Sequence, residues 1–357
     1  MLLRKSLLLV LSVIGNCYAG GLINKAFKVP QKEQAIRERY EARGNRLPIV
    51  YHPNYDVTMF GVEKLHPFDS AKYSKVYNRL RHNLNLTPNH FHNPQHEISN
   101  DELLKVHSQA YLDSLNKPAT LARISEIAPL KWVPNFLLQK RLLTPMRYAT
   151  AGTLLATELA LEHGWAINLS GGYHHAKTNE GGGFCVFGDI QLATKKVLEQ
   201  HPDWRILIVD LDAHQGNGHE EGLKDEKRAF IFDMYRQDNY PNDYPQMQHI
   251  DYNLPLGTSN DQEYLHTLKT ELPAAIAEVR PHLIIYNAGT DIYKKDPLGR
   301  MNISADGIKE RDLFVFQQAE RSQIPVVMLL SGGYTKQSAS IIADSIEQII
   351  KTKRSTI

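Results

Sequence analysis

Along the chain, two kinds of segment alternate. Short runs in which nearly every position is aliphatic or β-branched occur at Pro48–Tyr51, Trp165–Leu169, Arg205–Val209, Ala229–Phe232, Leu283–Asn287 and Val326–Leu330. Between them lie longer amphipathic stretches at Asp101–Leu115, Thr150–Glu162, Asp189–Gln200, Asp261–Val279, Ala305–Ser322 and Ser338–Lys351. A strand apolar at every position, rather than at every second one, is covered on both faces, as parallel strands are. Such strands alternating with helices predict a single-domain, doubly wound α/β fold over residues 48–350, its mainly parallel sheet flanked by helices. No repeat or linker divides it.

The N-terminus reads differently. Arg4 and Lys5 precede the apolar run Leu7–Ile14, and Cys17 and Ala19 supply small residues at the cleavage positions. Basic, apolar and small residues in that order predict a secretory signal peptide over residues 1–19 and therefore an exported protein. A core-packed N-terminal helix ranks second, and a lipoprotein site at Cys17 is weaker because Asn16 precedes it poorly. Residues 20–47 read as a charged lead-in, helical over Gln34–Arg43. The apolar run falls short of the roughly 20 residues of a spanning helix, and no later stretch qualifies, so no transmembrane segment is expected.

Composition changes this picture little. With 357 residues, 42% hydrophobic and 22% charged, the chain is not disordered, collagen-like or a disulfide-stapled miniprotein. Removing Arg4 and Lys5 from the 41 basic residues leaves 39, equal to the 39 acidic ones. That balance gives no argument for a nucleic-acid partner. After cleavage Cys185 alone remains, so no internal disulfide is expected. The histidines of residues 81–100 (His82, His90, His92, His96) match no compact ligand spacing and read as a polar surface loop.

The chemistry clusters at one address, just past the carboxyl ends of the expected strands, where open parallel sheets bind ligands. SGGYHHA (Ser170–Ala176) places two adjacent histidines after a Gly-Gly turn, a pairing suited to proton transfer near neutral pH. DLDAHQGNGHE (Asp210–Glu220) points Asp212 and His214 to the same side, half of a Zn²⁺ site, with Asp210 behind them. In NAGTDIYKKDPLG (Asn287–Gly299), Asp291 can complete three ligands and leave a position open for water. In SGGY (Ser331–Tyr334), a tyrosine on a glycine hinge can reach a developing oxyanion. GGGFCVFGD (Gly181–Asp189) suits the wall of a narrow channel. Its Cys185 reads as a small buried residue rather than a nucleophile.

Together and in this order, these segments resemble the histone deacetylase family of the arginase/deacetylase fold, and within it the class IV branch. EKLHPFD (Glu63–Asp69), GWAIN (Gly164–Asn168) and IIADSI (Ile341–Ile346) add to the resemblance, which runs from about Leu47 to Ile349. It implies a zinc-dependent amidohydrolase that removes an acetyl or longer fatty acyl group from the Nε of lysine or a related amine. The substrate would be an acylated lysine peptide or protein, or an acylated amine. By position, Asp212, His214 and Asp291 match ligands of one Zn²⁺ per chain, and His174 and His175 the tandem catalytic histidines. Tyr334 matches the carbonyl-binding tyrosine and Asp210 the carboxylate behind the first histidine. Gly183, Phe184 and Tyr240 match the substrate tunnel. A structural K⁺ would use Asp210, Asp212, His214, Asp233 and Met234.

Asn217 is the departure. Class I relatives carry an aspartate there, and an amide can orient His175 but not stabilise its imidazolium by charge. Three alternatives remain open at this level: an acetylpolyamine deacetylase, a non-catalytic acyl-lysine-binding module, and an arginase-like ureohydrolase. The intact His174, His175 and Tyr334 speak against the binding module. The ureohydrolase needs further carboxylates for a second metal, and Gln215, Gly216, Ile292 and Tyr293 stand where they would fall.

Overall fold

The uninterrupted apolar runs become the strands of one seven-stranded sheet in the computed structural model, which describes residues 46–58 and 69–355. The strands are β1 (Ile49–Val50), β2 (Trp165–Asn168), β3 (Ile206–Asp210), β4 (Ala229–Arg236), β5 (Tyr252–Leu256), β6 (Leu283–Asn287) and β7 (Val326–Leu329). Their order is β1-β2-β7-β6-β3-β4-β5, and every pairing is parallel. Every residue of β3, β6 and β7 is buried, as strands covered on both faces must be. The chain skips from β2 to β3, runs outward through β4 and β5, then returns to fill the gap with β6 and β7. Strand order reverses at that gap, so a crevice opens over the carboxyl ends of the central strands. The expected leader, the lead-in with its helix over Gln34–Arg43, and residues 63–68 of EKLHPFD lie outside the described residues.

Among the helices are α1 (Lys72–Leu84), α2 (Thr144–His163), α3 (Asp189–Gln200), α4 (Asn217–Leu223), α5 (Asp261–Val279), α6 (Ala305–Arg321) and α7 (Ser338–Ser355). Helix α2 packs on β2, β7 and α3, while α7 packs on α1 and α6, and α6 on α5. Among the described residues, no helix is long and apolar enough to cross a membrane.

The structure departs from the hydropathy reading in four places. β5 is an additional edge strand, Tyr-Asn-Leu-Pro-Leu, half-polar because one edge is solvated and able to carry Pro255 for the same reason. α1 buries only a narrow stripe, Lys72, Tyr73, Val76 and Leu80, in an otherwise polar sequence. α4 forms despite Gly218 and Gly222. The helix expected over Asp101–Leu115 is two short ones, Asn100–Leu103 and Gln109–Ser114, because Ser99 and Ser108 each cap a new start.

Candidate active site

The site is assembled from the four loops that leave β2, β3, β6 and β7. After β2 the chain turns through Gly171 and Gly172, both at positive φ (+78° and +84°), a conformation glycine adopts without strain. Asp189, the first residue of α3, fixes this turn by accepting from the backbone N–H of Gly172 (2.9 Å) and Tyr173 (2.8 Å). The turn delivers His174 and His175 side by side, ring centroids 4.0 Å apart and both buried.

The two histidines have different partners. His174 Nδ1 lies 2.9 Å from Asp210 Oδ2, and Asp210 Oδ1 is held by Asn287 Nδ2 at 3.0 Å. His175 Nδ1 lies 2.8 Å from Asn217 Oδ1. A carboxylate or amide oxygen only accepts, so both Nδ1 atoms carry protons, and His174 Nε2 lies 3.6 Å from Asp212 Oδ1. Burial opposes charge on either ring. For His174 the Asp210 and Asp212 carboxylates overcome it and push the pKa up to about 9. For His175 burial, His174 and His214 act together and hold it well below the usual imidazole range. The two environments thus push the proton affinities of the pair apart, the kind of separation that divides acid and base roles.

Asp212, His214 and Asp291 converge with one donor atom from each within 4.8 Å of the others, all three buried. Asp212 Oδ2 accepts from Ser331 Oγ and from the Gly332 N–H, each at 2.9 Å. Asp291 Oδ1 accepts from the Ala213 N–H at 2.9 Å. His214 Nδ1 stands 3.0 Å from Asp212 Oδ1 and 2.9 Å from Asp291 Oδ2. Burial raises Asp291 to about 7, with Asp212 adding to the rise; the same two carboxylates carry His214 to about 10 against burial. One N–H cannot serve both carboxylates, and two buried acids sharing one imidazole keep uncompensated negative charge. A divalent cation among these three donors resolves both, so the residues fit a metal.

Tyr334 stands beside this cluster, its ring 6.3 Å from His214 and 6.1 Å from Phe184. Asp296 positions it by accepting from its backbone N–H at 2.7 Å. Burial first, then Asp291 and Asp212, hold its hydroxyl far above the usual range, so it remains a proton donor. Phe184 sits at φ +64°, unusual for a bulky residue, inside the tight turn Gly182–Cys185. A Cβ on Gly183 would overlap the His175 ring. Tyr240 stands edge-on to His175, centroids 5.0 Å apart at 81°. The three expected tunnel residues therefore surround the histidines and Tyr334.

The residues expected to hold a monovalent cation lie on β3, on β4 and in the loop after β3. Asp210 and Asp233 are register partners on β3 and β4 and do meet. Their third partner is His219, one atom from each lying within 4.8 Å of the others. The side chains of Asp212 and His214 turn toward Asp291, so these two and the buried Met234, one residue further along β4, would serve such an ion through their backbone carbonyls. Both His219 ring nitrogens, Glu220 Oε1 and Asp233 Oδ1 have no hydrogen-bond partner, which leaves room for a cation there.

Other residues of the site gave no signal as such in the sequence. Lys72, fully buried, donates from Nζ to the carbonyls of Ser331 (2.6 Å) and Gly332 (3.2 Å), 259 and 260 residues away. Arg311 reaches from α6 to the carbonyls of Leu211 (3.0 Å) and Gly289 (2.6 Å). Asp189 and Asp296 lay inside segments already singled out, but nothing distinguished them from solvated loop acids.

Comparison with known proteins fixes the family. The sequence profile of the histone deacetylase domain matches residues 66–350. The chain belongs to the histone deacetylase family. Histone deacetylase 2 of Arabidopsis thaliana is 48% identical over 307 residues, 85% of this chain and 79% of that one. An uncharacterized protein of Picosynechococcus sp. is 32% identical over 83% of this chain and 94% of its own. The crystal structure of the HDA15 HD domain shares the fold with a TM-score of 0.68 at 18% identity, covering 84% of this chain and 88% of that one. As a histone deacetylase family member, the protein is a hydrolase of linear amide C–N bonds.

Proposed function

We propose that the protein is a zinc-dependent lysine deacylase of the class IV kind, accepting acyl groups longer than acetyl. One observation carries the reading: the donors of Asp212, His214 and Asp291 converge beside the His174–His175 pair and Tyr334, and His174 and Tyr334 line an adjoining cavity. A Zn²⁺ held by the three donors supplies Lewis-acid polarisation of the amide carbonyl and a water of lowered pKa. Neutral His175 accepts a proton from the attacking water at Nε2 and returns it to the amine nitrogen as the C–N bond breaks. His174, kept cationic by Asp210, and the Tyr334 hydroxyl face the negative charge that develops on the carbonyl oxygen. The products are a free amine and a carboxylate.

Longer acyl groups are favoured by the cavity's far wall. Beyond His174 and Phe184 it continues between Tyr55, Val57, Tyr73, Ile127, Leu142 and Met146, a mostly apolar lining. The class IV resemblance points the same way.

The test is hydrolysis of lysine peptides bearing acetyl, octanoyl and myristoyl groups by the full chain, with acetylated polyamines alongside. Activity should vanish with a chelator and return with zinc. Tyr334→Phe should lose about 10²–10³-fold in kcat with zinc content and Tm unchanged, the cost of one oxyanion donor. Unaltered turnover in that variant would remove Tyr334 from the mechanism. A wild-type enzyme inert on every acyl-lysine would refute the proposed reaction.

A further inference from the structure

The reading of His175 as the base requires its Nε2 to carry a lone pair toward the substrate. The hydrogen bond at Nδ1 decides which nitrogen that is. A carboxylate behind Nδ1 would accept whichever way it turned. An amide would not. Rotated by half a turn, Asn217 would present its NH₂ to Nδ1, and His175 would move its proton to Nε2, where it could take no other. The amide must therefore be held.

Asp243 holds it. Asn217 Nδ2 donates to Asp243 Oδ2 at 3.0 Å, and a carboxylate cannot return the bond in the opposite sense. Asp243 is fixed in turn by three contacts. Lys177 Nζ lies 2.7 Å from Oδ2, the Asp243 N–H donates to Gln215 Oε1 at 3.0 Å, and Gln215 Nε2 donates to the Asp243 carbonyl at 3.1 Å. Its side chain is 16% exposed and that of Lys177 20%, so the chain His175–Asn217–Asp243–Lys177 runs from the histidine pair to the surface. Lys177 also meets the exposed Glu180 at 3.3 Å. The Asn217 and Lys177 contacts keep the Asp243 carboxyl below its ordinary range, against its partial burial.

We propose that Asp243 is a positioning residue for the hydrolysis: by accepting from Asn217 Nδ2 it locks the amide so that Asn217 Oδ1 receives His175 Nδ1–H and His175 Nε2 stays free to accept a proton. This rests on the reading of His175 as the base, so the first readout is independent of turnover. In histidine-¹⁵N-labelled full-length protein, assigned with His175→Gln, the wild-type His175 should be protonated at Nδ1 and bare at Nε2. In Asp243→Ala the resonance should move toward the Nε2-protonated form. With the best acyl-lysine peptide, Asp243→Ala should lose about 10- to 100-fold in kcat with KM within about twofold, the usual cost of losing a group behind a catalytic ligand. Asp243→Asn, whose amide oxygen still accepts, should stay within about threefold of wild type.

The exchange of amide and carboxylate supplies a second, independent arm. Asn217→Asp alone sets two carboxylates face to face and should be impaired. Adding Asp243→Asn restores a donor opposite that carboxylate and should recover at least about tenfold in kcat. An unchanged His175 tautomer in Asp243→Ala, unchanged kcat there, or a double variant no better than Asn217→Asp would each overturn the proposal. If the wild type hydrolyses no acyl-lysine, the functional reading fails, while the tautomer measurement still decides the role of Asp243.

Discussion

His107 is wedged between two backbones. Its Nδ1 lies 3.0 Å from the Lys177 carbonyl, and Gly188 donates its N–H to Nε2 at 2.9 Å. One nitrogen must donate and the other accept, so only the neutral ring fits. Burial drives its pKa down to about 4, although the hydrogen bond to Lys177 works the other way. An unfolded histidine titrates near 6.5. Between those two values the unfolded chain binds more protons than the folded one. Stability from this group is therefore complete above about pH 6.5 and lost as pH falls toward 4, to a total of about 3 kcal/mol. Urea unfolding at pH 7.5 and 4.5 should show His107→Gln losing less stability on acidification than wild type. Equal losses would mean that His107 is already charged in the fold. The position illustrates what single residues disclose. The His174–His175 pair and the Asp212–His214 spacing were legible because adjacent residues of reactive type have few structural uses. His107, Lys72 and Asp243 were not, because each takes its meaning from partners 26 to 260 residues distant.

At the scale of elements, the strands that hold the site were the legible ones. β3, β6 and β7 are central, short, wholly buried and apolar up to their last residues, and their ends carry Asp210, Asn287 and the Ser331–Tyr334 loop. β5 and α1 escaped notice because an edge strand and a polar helix bury too few residues to impose a period on the sequence. What locks the loops after β3 and β6 is a helix residue, Arg311, with no exposed surface. It pairs with Asp312 at 2.8 Å and binds the Leu211 and Gly289 carbonyls, which flank Asp212 and Asp291 in sequence. Arg311→Met keeps the bulk of the stem but leaves Asp312 and those carbonyls without their cation. It should cost about 3–5 kcal/mol in equilibrium unfolding, the penalty for breaking a buried pair. A loss under about 1 kcal/mol would place Arg311 among surface-type ion pairs and remove it as the anchor of these loops.

At the scale of the whole molecule, the cavity belongs to no single element. Its inner end is built by the loops after β2 and β7, with Phe184 beside them. Its far wall comes from Tyr55 and Val57 after β1, Tyr73 of α1, Ile127, Leu142 just before α2 and Met146 in its first turn. The space open to a water-sized sphere is narrow, about 70 Å³. On the proposed function, the inner end decides whether an amide is cut, and the far wall decides which acyl chain lies there while it happens. The two are therefore separable by mutation. Met146 is buried and lines the far wall. Met146→Trp should shorten the apolar end and lower kcat/KM for a myristoyl-lysine peptide by about 10- to 200-fold, as filling a hydrophobic pocket by a few methylenes does. Acetyl-lysine hydrolysis by the same variant should stay within about threefold, since only the unfilled end of the pocket changes. A parallel fall for both substrates would mean that the far wall supports the catalytic loops instead of seating the chain. No change for either would leave the acyl group elsewhere on the protein.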